Sequence, residues 1–287
     1  MVLNSNVIIG QMEKIRVKLL GISCSYIEKS AVSWLVMYAL KAGEKFGRRI
    51  SKIADISTEF IDLAGKEIKP CEECQRFCMP NKGLPWRGTT QISEYDGECI
   101  IRDEVTAELL PKFGEADGFI FGSPVSTFSY NSLFRNFTER LTAALFKGYL
   151  TGKPFACVTS APEARGGGQV SCLYDMITVL TTLEMISVAW GGPGATGISG
   201  DDGQRNDRPG NWTALIAGRR VTEFALMLKL SKLKMADIYT REFIQIFHPP
   251  HGDESWAWNA LDEEDERFMM NLDKNMIGAK LRNKLRK

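Results

Sequence analysis

The sequence predicts an α/β protein: a doubly wound, five-stranded parallel sheet carrying a cysteine-rich insertion and a C-terminal helical extension. Three observations carry the prediction. Short branched apolar runs alternate with helix-period segments from Ile15 to Trp190, an order that implies right-handed crossovers and helices on both faces of one sheet. Loops of small polar residues follow Ser23, Gly122 and Ser160, at the edge where such sheets bind ligands. The 287 residues suit one large domain with additions, or two, at about one domain per 100–200 residues.

Ile15 to Ser23 (Ile-Arg-Val-Lys-Leu-Leu-Gly-Ile-Ser) has the composition of a buried strand, and a polar loop runs from it to about Ser30. From Ala31 onward, Leu35, Val36, Ala39, Leu40 and Phe46 recur at helical spacing, in a helix that extends towards Ile53. Thr58 to Leu63 alternates as a second strand, and an irregular stretch broken by Pro70, Pro80 and Pro85 follows. A short helix covers Arg102 to Phe113. Gly118 to Gly122 is the third strand, ending in the polar Ser123 to Ser129, after which Leu133, Phe134, Phe137, Leu141 and Leu145 mark one helical face. Pro154 to Ser160 is the fourth strand, Pro162 to Gln169 a glycine-rich loop, and Leu173, Met176, Ile177 and Leu180 the face of the next helix. Ile186 to Trp190 supplies the fifth strand, a glycine-rich loop spans Gly191 to Gly210, and a helix covers roughly Leu215 to Leu233. The chain therefore divides into an arm (1–14), a main domain (15–234) with the cysteine-rich segment 69–101, and an extension (235–287).

Composition narrows the function classes. Lys and Arg number 36 against 35 Asp and Glu, a net charge of +1, so nothing points to nucleic acid or an anionic membrane, where a basic excess drives affinity. No apolar run approaches the roughly 18 residues of a membrane span, and Met1 to Gly10 lacks the pattern of a secretory signal. A cytoplasmic location is expected. Of the seven cysteines, four fall between Cys71 and Cys99, a bunching that reads as a ligand set rather than a disulfide framework.

The loop after the first strand faces a helix N-terminus, where free N–H groups and the helix dipole suit a phosphate. Ser23, Ser25, Ser30 and Ser33 add hydroxyls and Lys29 adds charge; the Gly-Lys-Ser/Thr ending of a nucleotide triphosphate loop is missing, so a monoester is expected. A serine-rich helix cap is the plainer reading of the same residues. Cys71 and Cys74 form C-x-x-C, Cys78 lies one helical turn beyond, and Cys99 returns after the broken segment. Four thiolates close a tetrahedral zinc site or hold a four-iron cluster, and spacing does not separate the two. Cys24, Cys157 and Cys172 lie in strand and helix patterns as small hydrophobes.

Two motifs are set aside. Gly192, Gly194 and Gly197 spell Gly-x-Gly-x-x-Gly, but no helix pattern opens at the last glycine as a dinucleotide fingerprint requires; a mobile loop is expected there. His248 and His251 flank Pro249-Pro250 without a third ligand, and Trp256 and Trp258 nearby read as a docking element.

The order of these pieces resembles the flavodoxin-like NADPH-dependent FMN reductases, and among them the iron-sulfur flavoproteins. Gly21, Ser23 and Ser25 stand where that family has Gly-x-Ser-x-Ser; Gly122-Ser123-Pro124-Val125 is similar to its Gly-Ser-Pro-Val, with Phe137, Glu139 and Arg140 resembling the following helix; Gly167, Gly168 and Gln169 match its glycine pair and glutamine. The match spans roughly residues 15 to 190. Tyr26 and Ile27 depart from the family's Pro and Arg, and Ala31-Val32 from its Asn-Thr. The resemblance implies a flavodoxin-like fold with FMN phosphate on Ser23 to Ser33. It puts the flavin ring against Pro124, Val125, Ser126, Thr127, Phe128 and Ser129, with Ala161, Gly166, Gly167, Gly168 and Gln169 closing the other side. Phe128 reads equally as core packing.

The resemblance also favours a [4Fe-4S] cluster on Cys71, Cys74, Cys78 and Cys99, NAD(P)H as donor, a small molecule or a protein such as a ferredoxin as redox partner, and a homodimer or homotetramer. The family's cysteine intervals are usually shorter. The expected function is an FMN-dependent oxidoreductase with no catalytic side chain, passing electrons between flavin and cluster. The rivals are a cluster-free flavin or quinone reductase and a zinc-stabilised binding or sensing module.

Overall fold

The computed structural model describes residues 14–74, 78, 98–162, 166–188, 194–198 and 203–234, all within one unit of the chain. Residues 1–13 of the N-terminal arm and the extension 235–287, with both histidines, Trp256 and Trp258, lie outside the described residues. Among the described residues no helix is long and apolar enough to cross a membrane.

The architecture is the doubly wound one. Strands β1 (Ile15–Ser23), β2 (Ala54–Asp62), β3 (Gly118–Ser126), β5 (Pro154–Ala161) and β6 (Ile186–Ser187) are ordered β2-β1-β3-β5-β6 and pair in parallel. The period-two alternation of each strand sorts side chains onto two faces. Val17, Leu19, Ile120, Ala156 and Val158 point to one core; Leu20, Ile22, Phe119, Phe121, Phe155 and Cys157 point to the other. Helices α1 (Ala31–Arg49) and α7 (Arg208–Lys234) cover the first. The second is covered by α2 (Leu110–Glu115), α3 (Ser132–Arg140), α4 (Thr142–Phe146) and α5 (Gln169–Thr182).

The two faces differ in side-chain size, and this sets how closely the helices approach. On the aromatic face Phe113, Phe119 and Phe121 form a stacked row. On the other face α7 buries Ala214, Ala217, Val221 and Ala225, and a Cβ added to Gly218 would lie 1.9 Å from the Ala39 carbonyl of α1. The two helices thus cross backbone to backbone.

Several boundaries differ from the sequence reading. The first helix stops at Arg49 and β2 begins earlier, at Ala54, because the whole strand pairs with β1. The expected helix over Arg102 to Phe113 opens with a π turn, Val105–Leu109, before α2. Pro111 lacks an N–H and clashes with the carbonyl four residues back in a regular α-helix, which the wider turn accommodates. The helix through Leu133 to Leu145 breaks at Leu141 into α3 and α4.

The fifth strand was expected at Ile186 to Trp190 and is instead split. Pro154 and Phe155 pair with β6, whereas Val158 to Ala161 pair with β7 (Ala195–Ile198). Gly194 and Gly197 therefore border or sit in a strand, and the expected mobile loop is corrected there: pairing with β5 outweighs the weak strand propensity of Ala-Thr-Gly-Ile. A short helix, α6 (Gly203–Asn206), and then α7 follow, so no helix opens at Gly197.

Candidate functional site

In a parallel sheet all C-terminal strand ends share one edge, and here the loops after β1, β3 and β5 are bonded to one another across it. The β1 loop is built from within. Ser30 caps α1, accepting from the Ser33 N–H at 3.1 Å. The Ser33 hydroxyl lies 2.9 Å from that of Ser23 and 3.0 Å from that of Ser30, and donates to Asp62 Oδ2 at 3.2 Å. Ser25 Oγ accepts from the Ile27 N–H. Ser23, Ser25 and Ser33 are buried, Ser30 is half-buried and Lys29 is exposed. The hydroxyl set predicted from sequence is therefore together, with Ser23 and Ser33 beneath the loop as its support. What faces outward is Ser30, Lys29 and the N-terminus of α1, which has no acidic residue in its first turn.

Three residues outside the predicted site set stitch the loops. Asn131 caps α3 by accepting from the Phe134 N–H at 2.9 Å and donates from Nδ2 to the Cys24 carbonyl at 2.7 Å. Thr159 Oγ1 donates to the Ser123 carbonyl at 2.6 Å, tying β5 to β3. Asp62 Oδ2 accepts a hydrogen bond from the Ser33 hydroxyl. Asn at a helix start is a legible cap signal; the cross-loop bond it also makes is not.

The β3 segment does not end at Gly122. It continues to Ser126 and folds back as a hairpin, with Val125 opposite Tyr130 and Ser126 opposite Ser129 in β4 (Ser129–Tyr130). The two turn residues, Thr127 and Phe128, have φ of +50° and +63°. This is the left-handed geometry that two-residue hairpins demand and that a β-branched residue resists. Bonds to α5 hold it. Ser171 Oγ donates to the Phe128 carbonyl at 2.5 Å and Ser129 Oγ to Asp175 at 2.6 Å. Gly168, at φ +86°, leaves room for the tip: a Cβ there would meet Phe128 Cα at 2.9 Å. Core packing for Phe128 is corrected, since its side chain is 65% exposed.

Pro124 and Val125 are half-buried, Ser126 and Thr127 exposed, Ala161 and Gln169 buried, and Gly166 and Gly167 open at the start of α5. Tyr26, Ile27, Phe128, Val170 and Tyr174 are exposed large apolar residues on these segments. Tyr26 hydroxyl lies 2.9 Å from that of Ser132. Outward hydroxyl, ammonium and N–H donors beside apolar and aromatic surface form a donor set that fits a phosphate carrying a flat ring, as FMN does.

The cysteine segment leaves β2 at the same edge. Cys71 and Cys74 are half-buried, Cys78 and Cys99 buried. Burial raises the Cys74 thiol above its ordinary value, and the neighbouring Cys99 and Cys71 raise it further. Cys78 is pushed up to about 11 by burial, with Cys74, Cys71 and Cys99 adding to it. The four predicted ligands thus sit in one electrostatic neighbourhood, although among the described residues no group of three or more His, Cys, Asp or Glu stands at metal-binding spacing.

Behind Cys99 lies Arg140, 2% exposed. Its guanidinium forks onto Asp103, at 2.7 and 3.0 Å, and donates to the carbonyls of Lys69 at 3.1 Å and Ile101 at 3.2 Å. Burial alone would raise Asp103; the Arg140 hydrogen bond and charge outweigh it and hold the carboxyl below its usual range. Burial likewise opposes the charge of Arg140, and bonds to Asp103 together with the proximity of Cys99 more than restore it. Asp103 also accepts from the Thr106 N–H while its own N–H bonds Thr106 Oγ1, fixing it at the entrance to the π turn.

Residues 17–192 match the family model described as NADPH-dependent FMN reductase. An iron-sulfur flavoprotein of Methanocaldococcus jannaschii is 30% identical over 217 residues, which cover 74% of this chain and 99% of that protein. An iron-sulfur flavoprotein of Archaeoglobus fulgidus is 26% identical over 179 residues, 62% of this chain and 78% of the relative. Among solved structures, RosB with a bound formylriboflavin phosphate intermediate aligns at a TM-score of 0.50 and 19% identity, covering 79% of this chain and 87% of its own, a likeness of fold.

Proposed function

The chain belongs to the NADPH-dependent FMN reductase family, and from that premise we propose that it passes electrons between FMN and a [4Fe-4S] cluster held by Cys71, Cys74, Cys78 and Cys99. The FMN-dependent oxidoreductase is the part the family itself gives. The observation that supports the rest is that Cys71, Cys74, Cys78 and Cys99 flank one segment beyond β2, with Cys78 and Cys99 buried and Cys71 and Cys74 half-buried. The relatives named iron-sulfur flavoproteins support a cluster over zinc.

FMN, when bound, exchanges electron pairs with a nicotinamide and single electrons with a cluster. The protein's share is binding and orientation. In this reading Lys29, Ser30 and the first N–H groups of α1 hold the phosphate, with the buried Ser23, Ser25 and Ser33 bracing them. The hairpin Pro124 to Ser129 walls one side of the ring, and Ala161 and Gly166 to Gln169 close the other. No side chain is assigned a proton-transfer role. NAD(P)H is the proposed donor, a small molecule or a ferredoxin-like protein the partner, and a homodimer or homotetramer the assembly, which light scattering tests.

A cluster-free reductase is the second reading, favoured by the lack of metal-binding spacing among the described cysteines. One experiment separates the two. Anaerobically purified protein is analysed for flavin, iron, zinc and acid-labile sulfide, then titrated with NADPH and NADH. The proposal expects flavin bands, broad absorption near roughly 400 nm and about four irons per chain, as a four-thiolate cluster requires. Flavin without iron establishes the simple reductase, and zinc in place of iron removes the electron-transfer step.

A further inference from the structure

We infer that Arg140 is a positioning residue for the four-cysteine centre: it clamps the two ends of the cysteine-rich segment together and keeps a positive charge and one spare donor beside Cys99. The inference rests on the cluster reading above and goes beyond it by naming what tunes that cluster.

The argument begins with donor accounting. A guanidinium carries N–H groups on three nitrogens and cannot be deprotonated in a protein. The Nη1 and Nη2 contacts go to Asp103 and to the carbonyls of Lys69 and Ile101. The Nε–H is buried and makes no hydrogen bond of normal geometry to an acceptor among the described residues. A buried donor left unmade forfeits its hydration with nothing in return, so its persistence on a residue 2% exposed asks for an acceptor. Cys99 is the group whose side chain approaches the guanidinium. A thiolate ligand or an inorganic sulfide is an acceptor of the right charge, and hydrogen bonds to cluster sulfurs are among the factors that set a cluster's potential.

The carbonyl contacts add a second role. Lys69 precedes Cys71 and Ile101 follows Cys99, so one side chain anchored on α3 grips the segment on either side of its ligands. Asp103 holds that grip rigid. It also offsets part of the charge, which gives the two partners opposite electrostatic signs at the cluster while both serve the same structure. A positive charge favours the reduced, more negative cluster, and a carboxylate disfavours it.

The test uses full-length protein with the cluster reconstituted anaerobically from iron and sulfide. Midpoint potentials are read by spectroelectrochemistry, with flavin per chain and the thermal midpoint as checks on folding. Arg140→Met lowers the cluster potential, by about 59 mV for a tenfold change in a one-electron equilibrium, and reduces iron per chain. Asp103→Asn, which keeps the shape of the fork, raises the potential. Arg140→Lys, which keeps the charge but not the fork, holds the potential near wild type with partial loss of iron. If Arg140→Met does not fold, the sign for Asp103→Asn and the value for Arg140→Lys decide. Potentials unchanged in a loaded wild type and its variants overturn the inference, as do shifts of one sign for both charge removals, the mark of a purely structural role. A wild type that takes up no iron and sulfide sinks the cluster reading, and the inference with it.

Discussion

Replacing Asn131 with Ala separates the two tasks of one side chain and gives a magnitude that can be worked from the bonds. Its Oδ1 caps α3 and its Nδ2 holds the Cys24 carbonyl at 2.7 Å, in a residue only 7% exposed. Losing an N-cap costs about 1 kcal/mol. Leaving the buried Cys24 carbonyl unsatisfied costs about 1–3 kcal/mol more. The expected destabilisation is therefore about 2–4 kcal/mol by urea unfolding. Asn131→Asp keeps the cap acceptor and loses the donor, so it isolates the second contribution.

The functional consequence follows from the same bond. The Cys24 carbonyl belongs to the loop that reads as the phosphate site, so freeing it lowers the fraction of loop already in its binding geometry. If about 1 kcal/mol of ordering is lost, FMN affinity measured by fluorescence quenching falls roughly five- to tenfold. Asn131→Ala with unfolding energy within about 0.5 kcal/mol of wild type, the scatter of ordinary surface substitutions, would refute the reasoning. So would Asn131→Asp binding FMN as tightly as the parent.

The remaining predictions bear on packing and on the buried thiols. Thr127→Asn suits the φ of +50° that Thr resists, and is expected to raise stability by up to about 1 kcal/mol, a Tm gain of about 2–4 °C; no gain by calorimetry means the turn is unstrained. Gly218→Ala, whose new Cβ would fall 1.9 Å from the Ala39 carbonyl, is expected to cost at least about 1–3 kcal/mol, the range for overpacking, and an unchanged Tm would deny the close α1–α7 crossing. Burial raises the thiols of Cys24 and Cys157 and pushes Cys172 up to about 11. At pH 8 only roughly one buried Cys172 in a thousand would be thiolate. Native protein treated with iodoacetamide should leave all three unlabelled by mass spectrometry, and rapid labelling of any of them contradicts the core assigned to it.

What the sequence disclosed tracks side-chain size. Strands with Leu, Ile and Phe on both faces announced themselves, and the three loops at their ends followed from topology. Helix α7 was legible only from Leu215 because its buried stripe is Ala214, Ala217, Val221 and Ala225, which carries little apolar contrast. Strand β7 was hidden for a related reason: Ala-Thr-Gly-Ile has scant propensity of its own, and only the open edge of β5 makes it a strand. The hairpin tip lacks the Asn-Gly that usually marks such a turn, since Thr127 and Phe128 are held there by Ser171 and a missing Cβ at Gly168 rather than by their own preference.

Arg140 shows the limit most clearly. At the end of an amphipathic helix a basic residue reads as a solvated partner of the helix dipole. It is buried here because Asp103, distant in sequence, meets it, and no local pattern encodes that meeting. Its position also connects the site's two halves. Helix α3 is nine residues long, about 13 Å at 1.5 Å per residue, with Asn131 at one end bonded to the loop after β1 and Arg140 at the other gripping the cysteine segment. A rod this short, packed through Leu133, Phe134 and Phe137 against the aromatic face, cannot shift at one end without carrying the other. The two groups the protein is proposed to hold are therefore positioned relative to one another by a single helix, which transfers no electrons but fixes the gap they would cross.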